Sequence, residues 1–323
     1  MSARWKQRPE GGGRFAIWLI RSIGRYGGRG LARVLLHPIT AYFVLRRGPE
    51  RRASRAWLQV ALGRPVGWFA VARHIHAFAS TILDRVFLLS GELHRFDIRV
   101  SGADPVHAHL DAGRGVLLFG SHLGSFEVLR VLAAHRPDLP VRVVLDKAHN
   151  PAITELLDAL NPRVAATVID ASQDGPTILF EVQKAIADGQ LVALLVDRAQ
   201  PGEAVEPASF FGRDATFPRA PWQLAAVLGA PVVLAFGLYR GGNRYDLRFE
   251  AFCDGEVVPR ARRAAHLAAL IRGYAARLEH HARQAPYNWF NFYDYWDDSQ
   301  HALAARGVGH DPGLRGPAAA RGA

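Results

Sequence analysis

His122 and Glu127 stand five positions apart in Gly120-Ser121-His122-Leu123-Gly124-Ser125-Phe126-Glu127, just after an apolar run. A carboxylate on one ring nitrogen fixes the imidazole tautomer and stabilises the imidazolium, while the other nitrogen takes a proton. That is the machinery for deprotonating an alcohol. Residues 115–119 read as a short buried strand and 126–135 as a helix, so His122 falls on the turn between them. On one continuous helix the two side chains would lie about 140° and roughly 7.5 Å apart and would not meet. Gly124 can take the backbone angles that fold the loop back over the helix start, with Ser125 as its N-cap, so the spacing predicts an imidazole over Glu127. Both residues also suit a plainer role, His122 satisfied at a strand end and Glu127 as a solvated acid complementing the helix dipole.

Later segments offer further polar groups. Asp197-Arg198 closes the apolar run 191–196, at a strand-to-loop transition where α/β proteins place site residues. Asp197 can orient Arg198 or a hydroxyl, and Arg198 can neutralise a charged substrate; a structural ion pair is the alternative. Phe210-Phe211-Gly212-Arg213 reads as a loop presenting two aromatics beside a cation, although two aromatics plugging a core would look the same. Lys147, Asn150 and Arg163 are candidates for phosphate or headgroup contacts, or simply solvated. Pro218 and Pro221 suit the start of a helix. Seven of the ten residues from Tyr287 to Trp296 are aromatic, a cluster fit for an acyl tunnel, a membrane contact or a packed C-terminal segment. His280 and His281 are adjacent on a helix, cannot face one ligand together, and receive no role.

In order and spacing, the H-x4-E, the strand followed by Asp197-Arg198, the Phe210-Phe211-Gly212-Arg213-x-Ala215-x-x-Pro218 and the Pro286-x-x-Trp289 together resemble the late acyltransferases of lipid A biosynthesis, within the lysophospholipid acyltransferase-like group. The resemblance runs from about residue 14 to residue 298. It implies transfer of a fatty acyl chain from an acyl carrier protein thioester, or from coenzyme A, to a hydroxyl of a membrane glycolipid, with His122 as base and Glu127 as its partner. No cofactor or metal is implied. Arg198 stands where lipid A enzymes often carry glutamine, and the aromatic stretch after Trp289 stands where they tend to be basic. Both features look closer to acyltransferases of aryl polyene or xanthomonadin-type pigment pathways.

One cysteine, Cys253, leaves no disulfide and no cysteine metal cluster. H-E-x-x-H, P-loop, strand-associated G-x-G-x-x-G and the G-x-S-x-G nucleophile elbow do not occur. Direct attack by the acceptor hydroxyl in a ternary complex is therefore expected, with oxyanion donors from backbone amides around Gly120, Ser121 and Gly124 or from an arginine. The alternatives of a different class are an acyl ester or thioester hydrolase and a non-catalytic lipid- or carrier-binding protein.

Charge is concentrated at one end. Residues 1–60 hold 13 Lys+Arg against 2 acids, and the remainder is balanced at 27 against 27. Within that segment arginines (Arg21, Arg25, Arg29, Arg33, Arg46, Arg47) alternate with apolar stretches carrying Trp18, Tyr42 and Phe43. Neither stretch reaches the roughly 20 residues a bilayer span needs. An interfacial or re-entrant anchor on anionic lipid fits better, at the cytoplasmic face of a bacterial inner membrane, with a core helix broken at Pro38 as the alternative. A nucleic-acid partner is not indicated, since no recognisable module follows the basic segment.

The elements that must carry these residues follow from periodicity. Strands are predicted at 116–119, 141–145, 167–169, 191–196, 231–239 and 244–251. Helices are predicted at 55–62, 66–89, 126–135, 153–160, 177–187, 220–228 and 264–284. The fold class is α/β, a central mixed sheet flanked by helices with an N-terminal helical membrane-associating segment. The expected divisions are a basic amphipathic anchor at 1–50, accessory helices at 51–110, the acyltransferase α/β domain at 111–300 and a flexible tail at 301–323.

Overall fold

Alternation along the strands organises the molecule. In the computed structural model, Leu117 and Phe119 of the strand Val116–Gly120 face one buried layer, and Val116 and Leu118 face another. A strand buried on both faces needs helices on both sides. The structure describes residues 13–129, 141–148, 151–200, 202–297 and 299, with the backbone alone for 13–27, 152–153 and 163–164.

The described elements, in chain order, are α1 (Gly13–Arg46), α2 (Gly48–Leu62), α3 (Trp68–Leu89), β1 (Asp97–Ser101), α4 (Asp104–Asp111), β2 (Val116–Gly120), β3 (Val141–Leu145), α5 (Pro151–Leu160), α6 (Pro162–Ala165), β4 (Ile169–Asp170), α7 (Gly175–Ala187), β5 (Leu191–Leu195), β6 (Val205–Phe210), β7 (Arg213–Pro218), α8 (Ala220–Leu228), β8 (Val232–Tyr239), β9 (Arg244–Cys253) and α9 (Arg260–Gln284). Seven strands form one sheet in the order β1-β9-β8-β2-β5-β3-β4. All its neighbours are parallel except the β8–β9 hairpin. The expected α/β architecture is therefore present.

One sheet face packs against Ala32 and Leu36 of α1, Leu83 and Phe87 of α3, and Val106 and Leu110 of α4. The other packs against Val182 of α7, Trp222 of α8, and Ile271, Tyr274 and Leu278 of α9. The run named α1 is two helices joined at Gly28, whose φ of 69° and ψ of 169° no helix accommodates. Its second half buries Ala32, Leu36, Thr40 and Val44, one residue in four, and continues through Pro38, which lies on the exposed side. Arg29 ties that half down. Its guanidinium meets both oxygens of the buried Asp84 on α3 at 2.8 and 3.0 Å, and Tyr245 of β9 donates to the same carboxylate at 2.8 Å. Among the described residues, no helix is long and apolar enough to cross a membrane.

Several elements differ from expectation. β1 was not predicted, because Asp97–Ser101 is an edge strand, mostly exposed, and lacks the apolar run that marks an inner one. Phe210-Phe211-Gly212-Arg213 is the tip of an antiparallel hairpin, β6–β7, with Phe210 paired to Arg213 and both turn residues at positive φ, 54° for Phe211 and 69° for Gly212. The predicted helix at 126–135 is a 3₁₀ turn, Phe126–Leu129, as far as the described residues reach.

Candidate active site

β2 and β5 are adjacent and parallel, and their register pairs Gly120 with Leu195. Two residues beyond each partner, at the carboxyl edge of the sheet, come His122 and Asp197. Register alone thus brings them side by side. Asp197 is fully buried and holds His122 twice: His122 Nδ1 donates to Oδ1 at 2.8 Å and the His122 backbone N–H donates to Oδ2 at 3.1 Å. Trp289 Nε1 donates to Oδ2 at 3.4 Å, and the Tyr295 hydroxyl donates to the Asp197 carbonyl at 3.3 Å.

The expected partner of the imidazole is replaced. Glu127 accepts from Ser125 Oγ at 2.9 Å and pairs with Arg85 of α3 at 2.5 Å, so the carboxylate on Nδ1 is that of Asp197. Gly124 does fold the loop back, with φ of 85°, but it lays the loop against β8, where Ser125 N–H donates to Gly237 O at 2.8 Å. A Cβ on Gly124 would sit 2.0 Å from that same carbonyl. Ser125 uses its hydroxyl on Glu127 and not as a helix N-cap. The far side of the loop is held by the C-terminal segment: Gly124 N–H donates to Asn288 O at 2.8 Å, and Phe290 N–H to His122 O at 3.0 Å.

Electrostatics set the protonation states. Burial alone would push the Asp197 carboxyl up, but its contacts with His122 and the charge of Arg198 hold it down, to about 2. Burial lowers the His122 imidazole below its usual range, and Arg198 lowers it further against the pull of Asp197. The pair therefore rests as carboxylate and neutral imidazole, with Nδ1–H directed at Asp197. About a third of the His122 side chain is exposed, 33%, and Nε2, on the ring edge away from Asp197, is the nitrogen open to a substrate.

Arg198 joins this pair. Its Nη2 donates to Phe290 O at 2.8 Å, its guanidinium lies 5.5 Å from the centre of the Tyr293 ring, and its Nε is buried without a partner among the described residues. Phe210 and Phe211 do not line an open loop. They are buried in a cluster with Trp57, Trp289, Tyr295 and Trp296 that backs onto Asp197. Arg213 is exposed and stacks on Trp296, 5.2 Å from the ring centre. Lys147 lies past β3 on the same sheet edge, its backbone N–H donating to Asp170 at 3.2 Å. Asn150 and the Arg163 side chain lie outside the described residues. Gly120 ends β2 and Ser121 follows it; the Gly120 carbonyl accepts from Val196 N–H at 3.1 Å and from the Tyr274 hydroxyl at 3.1 Å. Arg85 was not anticipated. It belongs to a long helix in which nothing in the sequence separates it from a solvated arginine.

A carboxylate-held imidazole at the carboxyl edge of a parallel sheet, beside a cation, is an arrangement that can activate a hydroxyl for group transfer. The family model for bacterial lipid A biosynthesis acyltransferases matches residues 75–297, which include His122, Glu127, Asp197, Arg198 and Trp289. The chain belongs to that family, and its activity is that of an O-acyltransferase. No curated protein matches the chain.

Proposed function

We propose that the protein moves a fatty acyl chain from a thioester, on acyl carrier protein or coenzyme A, to a hydroxyl of a lipid A-type glycolipid, with His122 as general base and Asp197 as the group that holds it. The observation that carries this reading is the double grip of the buried Asp197 on His122, which leaves Nε2 to receive the acceptor proton. General-base assistance of this kind contributes about 10² to 10⁴ in rate. Glu127 positions Arg85 and, through Ser125, the loop that carries His122.

Reaction at a membrane surface is supported by the outer face of α1. Leu31, Val34, Tyr42 and Leu45 are exposed there at helical spacing, and Trp68 and Phe69 are exposed at the start of α3, with Leu45 and Trp68 lining one apolar groove. Arg46 and Arg47 close the stripe. This is the composition of an interfacial helix lying on anionic headgroups, placed in this reading at the cytoplasmic face of the inner membrane.

The decisive experiment combines purified protein, acyl-thioester donor and total membrane lipid, followed by mass spectrometry of the products. A lipid heavier by one acyl group, lost in His122→Ala with the fold intact by circular dichroism, is the expected result. Undiminished transfer by His122→Ala refutes the reading. Free fatty acid without an acylated lipid identifies a hydrolase instead, and the mass of the acceptor distinguishes a glycolipid from a pigment lipid.

A further inference from the structure

Attack on a thioester throws negative charge onto the carbonyl oxygen, and a site without donors for that charge is slow. The usual donors in a strand-to-helix loop are backbone N–H groups. Here those of His122, Gly124 and Ser125 are already engaged by Asp197 Oδ2, Asn288 O and Gly237 O. The loop that carries the base is thus closed to the oxyanion at those three positions. Of the two cations whose charge reaches the imidazole, Arg85 is neutralised by Glu127. Among the described residues Arg198 pairs with no carboxylate; it is fixed through Nη2 on Phe290 O, and its buried Nε has no acceptor there. A buried guanidinium N–H without a partner costs stability unless an acceptor arrives. Phe290 also receives the rigid link to the base, since its own N–H donates to His122 O at 3.0 Å. One residue therefore sets the position of guanidinium and imidazole relative to each other.

Resting on the acyl-transfer reading above, we propose that the Arg198 guanidinium is the oxyanion donor of this site. As the acceptor oxygen bonds to the thioester carbon, its proton passes to His122 Nε2 and the carbonyl π pair moves onto the oxygen facing Arg198. The carbonyl then re-forms, the carbon–sulfur bond breaks, and the leaving thiolate takes the proton back from the imidazolium. Atoms and charge balance to one ester and one free thiol.

The test compares Arg198→Gln and Arg198→Lys with the wild type in steady-state transfer across pH. For Arg198→Gln the expected result is a fall in kcat of about 10² to 10³. KM for donor and acceptor should stay within about threefold, and the acid limb of kcat/KM should move to higher pH because a cation beside His122 has gone. Arg198→Lys keeps the charge, so its acid limb should stay in place, with kcat between the other two. A rise in KM with kcat kept, no change in either, or a loss of kcat with an unmoved acid limb in Arg198→Gln overturns the proposal. Should Arg198→Gln not fold, Arg198→Lys decides by kcat against KM alone. Loss of activity in His122→Ala alongside full kcat in Arg198→Gln would sink only the oxyanion assignment, whereas activity in His122→Ala would sink the acyl-transfer reading itself.

Discussion

At the scale of single residues, the two carboxylates near the base do different work. Asp197 fixes the tautomer, so Asp197→Asn should cost on the order of 10³-fold or more in kcat while leaving the protein folded. The rate should also fall as pH drops through the lowered His122 pKa, so the acid limb lies below the usual imidazole value and activity is full above it. Glu127 acts through Arg85, and contacting residues couple. Hence Glu127→Gln and Arg85→Gln should be non-additive, with the double variant no slower than the worse single one. Losses that multiply would show Glu127 acting on the imidazole directly. The candidate histidine was legible in the sequence, because a histidine ending an apolar run with an acid close behind is unusual. Its hydrogen-bond partner was not: Asp197 is 75 positions away and Glu127 only five, and proximity in sequence pointed to Glu127.

Elements explain why the site keeps its shape. The His122 loop is held between β8 and the 286–292 segment, and that segment is held in turn by His74 of α3. His74 Nε2 donates to Trp289 O at 3.1 Å, so its Nδ1 accepts from the Ser54 hydroxyl of α2 at 2.8 Å. Full burial disfavours the charged form of this imidazole. Burial drives its pKa down to about 4, against 6.5 in the unfolded chain. The folded state therefore has its full stability above pH 6.5 and loses up to about 3 kcal/mol as pH falls from 6.5 toward 4. His74→Gln retains a neutral donor and acceptor but cannot titrate. Denaturant unfolding at pH 7.5 and pH 5 should accordingly show a smaller difference for the variant than for the wild type, and an equal difference would remove His74 from this role. Most elements were readable from periodicity, α8 to the residue and β3 likewise. The hairpin β6–β7 was not, because its tip requires positive φ at a phenylalanine, which a sequence does not announce.

Across the whole molecule, the Arg29–Asp84–Tyr245 lock pins the second half of α1 to the sheet layer and turns its remaining apolar face outward. That face is the surface we assign to the membrane. Leu45→Glu together with Trp68→Glu should lower sedimentation with vesicles containing anionic phospholipid at least about tenfold, with the fold unchanged by circular dichroism. Equal sedimentation of variant and wild type would exclude this face as the docking surface.

The sequence by itself determined most inner strands and the helices that cover them, the family and the histidine at the end of β2, because these follow from local periodicity and from short motifs that fold in place. Tertiary structure decided which acid holds the imidazole, which cation stands free beside it and which loop amides are already engaged. Those outcomes depend on the neighbour order and register of parallel strands, and on a C-terminal segment returning to the β2 loop, neither of which leaves a mark within a window of sequence.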